Sequence, residues 1–214
     1  MTEGASRQVY LREPTLGPAI WAFVCGATTI LILILLMATC GVGGQCYVKN
    51  DGTVPFHGTV AISALKLSTG QRKAVYTEEH GLGAGAGVSE RFTVDLSGID
   101  PAEHILLIAC ATAGTTLSLN ELLLATPHSL RLPAASVSAA VGAAPNPDGS
   151  IDIALQADAT ALFVTLTTLA HGRFSDNAFA LAPGHTTIQF MPFGALDAPT
   201  LRKSLRVEHL QQNQ

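Results

Sequence analysis

The sequence predicts an all-β chain, two tandem β-sandwiches preceded by one N-terminal hydrophobic, transmembrane-like helix. Short strand-like runs recur with even spacing between glycine and proline turns, which is the signature of a sandwich. No convincing amphipathic helical period appears after Cys40. From Pro18 through Cys40 no charged residue occurs, and Ile30-Leu31-Ile32-Leu33-Ile34-Leu35-Leu36-Met37-Ala38 is apolar throughout. A run about 20 residues long is what a helix needs to cross hydrocarbon.

This divides the chain into 1–44, with a hydrophobic span at about 19–40, then sandwiches over 45–126 and 127–214. Trp21 suits an interfacial aromatic belt, and Arg7 and Arg12 ahead of the span place the β-domains on the luminal or extracellular side. Two other readings stand beside a retained anchor. Ala38-Thr39-Cys40 is a small-x-small pattern that fits signal-peptide cleavage. The other is an artefactual start joined to a gene fragment.

After the span, Gly41-Val42-Gly43-Gly44 reads as a flexible junction. Strands follow at 58–67, 72–78, 88–96, 105–112 and 116–124, separated by Ser68-Thr69-Gly70, a glycine-rich loop, Gly98 to Pro101 and Ala113-Gly114. Beyond the Pro127 to Pro133 linker the rhythm resumes at 135–141. Ile151, Ile153 and Leu155 then alternate with Asp152, Ala154 and Gln156, as in a strand with one wet face. Leu162, Val164 and Leu166 repeat the pattern.

Composition excludes one class of partner. A formal charge of −4, with only 12 scattered Lys and Arg, is wrong for nucleic acid, which requires clustered cations. Charged residues make up 13% of the chain and hydrophobic ones 48%, and much of that excess lies in the apolar run. Of the 4 cysteines, Cys25 and Cys40 lie in or beside that run, leaving Cys46 and Cys110 in the β-region with their pairing open. Cys110, inside His104-Ile105-Leu106-Leu107-Ile108-Ala109, reads most simply as a small buried apolar side chain. No spacing fits a Cys-x-x-Cys metal or redox site.

The most informative stretch is Gly172-Arg173-Phe174-Ser175-Asp176-Asn177, followed by Ala178 and Phe179. Ser, Asp and Asn are turn formers whose side chains bond nearby backbone, and the flanking phenylalanines can plug such a turn into a core. Asp176 is the most tempting catalytic carboxylate, and a turn role is the better reading of it. Arg173 can pair with Asp176 or with a neighbouring domain. Elsewhere, Gly81-Leu82-Gly83-Ala84-Gly85-Ala86-Gly87 lacks the following helix that a phosphate cradle requires. Glu78-Glu79-His80 is a poor metal cluster, because adjacent strand residues face opposite ways. No nucleophile–base or acid–base pair can be assembled, so no catalytic, metal or cofactor-binding residue is assigned and no cofactor is expected.

The order Gly172 to Asn177, Phe179, the alternating strand Thr186-Thr187-Ile188-Gln189-Phe190, Pro192, and Ser204-Leu205-Arg206-Val207-Glu208-His209-Leu210 resembles the extreme C-terminus of β-mannosidases of glycoside hydrolase family 2. A looser similarity extends over Asn120 to Val141 and back to Tyr47; residues 1–44 share none of it. The resemblance implies immunoglobulin-like sandwiches and a lysosomal or secretory setting. Family chemistry resides in a barrel typically of about 250 residues, which this chain of 214 has no room for. No glutamate here therefore inherits a catalytic role. The expected function is a non-catalytic part of a β-mannosidase-like hydrolase, partnered by a catalytic glycosidase barrel or carbohydrate. The alternative is a membrane-anchored binding or adhesion module.

Overall fold

A computed structural model describes residues 6–8, 36–85 and 88–213. The strands are β1 (Ser6–Gln8), β2 (Leu36–Cys40), β3 (Gln45–Asn50), β4 (Phe56–Lys66), β5 (Arg72–Leu82), β6 (Val88–Thr93), β7 (His104–Thr112), β8 (Thr115–Leu123), β9 (Val137–Val141), β10 (Ile151–Ala157), β11 (Ala161–Thr167), β12 (Gly172–Phe174), β13 (Phe179–Leu181), β14 (Gly184–Pro192) and β15 (Arg206–Glu208). One helix, α1 (Ala198–Ser204), lies between β14 and β15. The chain forms two compact units, the second comprising Pro127–Gln214 together with Leu65–Arg72 and Ala102–His104.

In the first unit a sheet ordered β1-β8-β7-β4-β5 accompanies a sheet ordered β2-β3-β6. Leu36, Ala38 and Cys40 of β2, Cys46 and Val48 of β3, Val60 and Ile62 of β4, Leu106, Ile108 and Cys110 of β7 and Leu122 of β8 join one buried cluster. Alternate residues of each strand supply it, as a pleat dictates. In the second unit the sheets are β12-β14-β10-β9 and β13-β11-β15. Ile151, Ile153 and Leu155, Val164 and Leu166, and Ile188 and Phe190 fill the core between them. β10 is central, pairing with β14 from Ile151↔Phe190 to Ala157↔Gly184 and with β9 from Ile153↔Val141 to Ala157↔Val137.

The transmembrane-like helix expected over 19–40, and the single-pass membrane placement that followed from it, need correction. Among the described residues no helix is long and apolar enough to cross a membrane. The end of the apolar run is strand β2, antiparallel to β3 from Leu36↔Asn50 to Cys40↔Cys46. Its burial alternates, with Leu36, Ala38 and Cys40 buried and Met37 and Thr39 less so. That period of two was hidden because the intervening side chains are uncharged as well. Residues 19–35 lie outside the described residues.

The supposed junction at Gly41–Gly44 is a hairpin turn. Gly41 N–H donates to the Gln45 carbonyl at 2.8 Å and Gly44 N–H to that of Gly41 at 3.0 Å. Gly44 has φ +82°, and a Cβ there would collide with the Val94 carbonyl, so the turn depends on glycine. Across the hairpin Cys40 and Cys46 are joined in a disulfide, their Cα atoms 4.0 Å apart. Cys110 is a free, buried cysteine, in keeping with its reading as a core side chain.

Helix α1 was not foreseen. Asp197 caps it by accepting a hydrogen bond from Thr200 N–H at 3.1 Å, and a proline lies in its first turn. Leu201 is its one buried side chain.

Candidate functional site

The Gly172–Asn177 run carries the chain from one sheet of the second unit to the other. β12 is antiparallel to β14, with Gly172↔Pro192, Arg173↔Met191 and Phe174↔Phe190 as partners. At Gly172 a Cβ would overlap the Phe190 ring and lie 2.6 Å from the Met191 carbonyl oxygen. Only glycine fits there. Phe174 meets Phe190 edge-on, with ring centroids 5.3 Å apart. Ser175 extends the pairing: its N–H donates to the Gln189 carbonyl at 2.7 Å, and its Oγ accepts from Gln189 N–H at 2.9 Å.

Asn177 then grips the opposite sheet. Its Oδ1 accepts from Leu166 N–H at 2.7 Å, and its Nδ2 donates to the Leu166 carbonyl at 2.9 Å. An amide side chain so placed does what a strand neighbour would do, prolonging the β11–β13 pairing past Val164↔Phe179. Asp176 Oδ1 accepts from Asn177 N–H at 2.7 Å, and Ala178 turns the chain with φ +59°. Phe179 is buried at the start of β13. Arg173 is exposed on β12. The structure thus brings Gly172, Phe174, Ser175, Asp176 and Asn177 into one bracket between the sheets.

The C-terminal residues make a second bracket. Gln211 Oε1 accepts from Leu162 N–H at 3.2 Å and its Nε2 donates to the Thr160 carbonyl at 2.7 Å. His209 is buried, with Nδ1 at 3.2 Å from Gln211 Oε1. In the sequence His209 stands out only as part of the Ser204 to Leu210 stretch that carries the family resemblance.

Two further groupings have chemical potential. In the second unit a cleft of about 600 Å3 is lined by Thr167, Thr168, Leu169, Thr200, Lys203, Ser204 and Arg206. Its hydroxyls are largely committed: Ser204 Oγ donates to the Thr200 carbonyl at 2.7 Å and accepts from Leu169 N–H at 2.9 Å. In the first unit Tyr76, Glu78 and His80 share one face of β5. Tyr76 Oη lies 3.0 Å from Glu78 Oε2 and 2.8 Å from His80 Nε2, while His80 Nδ1 lies 2.9 Å from Glu90 Oε2 on β6. Glu79 faces the other way, bonded to Thr59, so the alternation that argued against Glu78-Glu79-His80 as a cluster holds for Glu79. It missed the set two residues apart, and Glu90 beyond the loop.

A carboxylate–imidazole–phenol row resembles a nucleophile relay in outline, but the phenol is set against that use. Burial first, then the Glu78 hydrogen bond and the charges of Glu78 and Glu90, push Tyr76 up to about 12. An activated nucleophile needs the opposite shift. Among the described residues no group of three or more His, Cys, Asp and Glu could hold a metal ion.

Comparison with known proteins agrees with the family resemblance. Residues 132–213 match the Ig_mannosidase family, an Ig-fold domain. The chain is similar in structure to beta-D-mannosidase from Dictyoglomus thermophilum, with a TM-score of 0.63 at 20% identity over 81% of this chain and 21% of that one. Exo-chitosanase CsxA from Amycolatopsis orientalis gives a TM-score of 0.55 at 16% identity over 81% of this chain and 25% of that one. The chain thus spans about a fifth to a quarter of those enzymes' lengths. No curated protein sequence matches it significantly.

Proposed function

Taking residues 132–213 as an Ig-fold domain of the mannosidase type, we propose that this chain is the non-catalytic C-terminal region of a β-mannosidase-like glycoside hydrolase. In this reading the sandwiches at 45–126 and 127–214 brace a catalytic barrel, and the parent reaction is hydrolysis of terminal β-mannosides. The family match carries the proposal. The bracket supports it, since Gly172, Phe174, Ser175 and Asn177 direct contacts at their own sheets, Asp176 accepts from the Asn177 N–H within the turn, and Arg173 is exposed on β12.

The test is an assay of the full chain against an aryl β-mannoside, alone and mixed with a family catalytic barrel lacking its own C-terminal domains. The expected result is no turnover alone and recovery of barrel solubility or activity on mixing. Turnover by the isolated chain, abolished by one substitution within it, would overturn the reading.

A further inference from the structure

Counting hydrogens in the Tyr76 row leads to a conclusion about the first unit. The row has three contacts: Glu78 to Tyr76 at 3.0 Å, Tyr76 to His80 Nε2 at 2.8 Å, and His80 Nδ1 to Glu90 at 2.9 Å. Each needs a hydrogen between its heavy atoms. Two ionised carboxylates only accept, the phenol has one hydrogen to give, and a neutral imidazole has one. With His80 neutral, the phenol and the imidazole together supply two hydrogens for three contacts. If its N–H faces Glu90, Tyr76 must choose between His80 and Glu78; if its N–H faces Tyr76, bare Nδ1 meets the carboxylate of Glu90. An imidazolium supplies the third hydrogen and satisfies every contact at once.

The row's position gives that proton a mechanical role. β5 is an edge of the five-stranded sheet and β6 an edge of the three-stranded sheet, so the His80–Glu90 contact spans the rim of the sandwich. Phe92 of β6 reinforces it, stacking on Tyr76 at 4.6 Å and lying 5.2 Å from His80. His80 is buried, its side chain 3% exposed, whereas that of Glu90 is 51% exposed and open to solvent protons. The titratable groups around His80 are Tyr76 and Glu78 on β5 and Glu90 on β6. On β4, His57 lies beside Gly81, and Glu79 is turned away onto Thr59. The Tyr76 phenol, pushed up to about 12, keeps its single hydrogen in mild acid and mild alkali alike.

We propose that the His80–Glu90 contact takes up one proton on acidification and thereby latches β5 to β6, making the rim of the first unit tighter in mild acid than in mild alkali. Imidazole is the side chain whose ordinary charge change lies between about pH 5 and 8.

The test uses the full chain, with nitrogen NMR of the His80 ring and hydrogen exchange of β5 and β6 amides corrected for intrinsic pH dependence. Both ring nitrogens of His80 should carry hydrogen at pH 5.5, and protection of the β5–β6 rim should be about three- to ten-fold greater there than at pH 8. Glu90→Gln, at a half-exposed position that should leave folding intact, should abolish most of that difference, and Tyr76→Phe should reduce it. A singly protonated ring at pH 5.5, equal protection at the two pH values, or an undiminished difference in Glu90→Gln would overturn the proposal.

Discussion

The two sandwiches close their rims with different chemistry. The first is fastened by a disulfide across its β2–β3 hairpin and by the Tyr76–His80–Glu90 row, whose bonding depends on redox state and proton number. The second is fastened by neutral amides, Asn177 on Leu166 and Gln211 on Thr160 and Leu162, which neither titrate nor oxidise. The disulfide and the imidazole thus leave the first rim responsive to its surroundings, whereas the Asn177 and Gln211 amide contacts of the second rim carry no charge or thiol of their own. Uncharged amides supply a donor and an acceptor from one planar group at every ordinary pH, so they suit a rim that has only to hold.

The contrast can be broken most forcefully at the core of the second unit. Phe190→Ala should cost about 3–5 kcal/mol in urea denaturation, because the ring is fully buried against Gly172 and Phe174 and a cavity would remain. Loss below about 1 kcal/mol would mean that the bracket does not rest on that ring. Asn177→Ala should cost about 2–3 kcal/mol, since it removes both hydrogen bonds to Leu166, stranding its N–H and carbonyl, and also the one accepted from Ala178 N–H. Its effect should be the same at pH 5.5 and pH 8. Any pH dependence would count against the idea that the second unit is held by uncharged groups.

Reduction sharpens the same comparison from the other side. Opening Cys40–Cys46, whose cysteines are 6 residues apart, should destabilise the first unit by about 2 kcal/mol on loop-closure grounds. Amide exchange in the second unit should not change on adding a thiol reductant. The smallest expected effect is at α1. The Thr200 hydroxyl and backbone N–H hold the Asp197 carboxyl below the usual range. A depressed carboxylate stabilises the fold above its unfolded value and loses that contribution as pH falls through the lower, folded one. Fraying of α1 should therefore begin below about pH 4, as read by exchange of the Thr200 and Leu201 amides, and Asp197→Asn should remove the pH dependence.

Much of the architecture was legible from the period of two. The core face of β10 was visible as Ile151, Ile153 and Leu155 because Asp152 and Gln156 mark the wet face. β2 failed the same test because Met37 and Thr39 carry no charge, and alternation between buried and half-buried apolar residues leaves no trace in a pattern of polarity. α1 had a readable start in Asp197-Ala198-Pro199-Thr200, but its 7 residues bury only Leu201, too little for an amphipathic period. In the bracket, Ser175, Asp176 and Asn177 announced a turn. What Asn177 holds was hidden, since Leu166 lies 11 residues upstream and meets it only when two sheets are stacked. Likewise Tyr76, Glu78 and His80 could be placed on one face from their spacing, whereas Glu90 joins them only because β6 comes back across the rim.

The buried thiol of Cys110 gives the difference between the units a clock. Burial raises it above the ordinary cysteine range, so it is a poor nucleophile as well as a shielded one. No cysteine occurs from Pro127 onward. In a Cys25→Ser chain with its disulfide intact, the rate at which a thiol reagent labels Cys110 therefore counts openings of the first sandwich and is blind to those of the second.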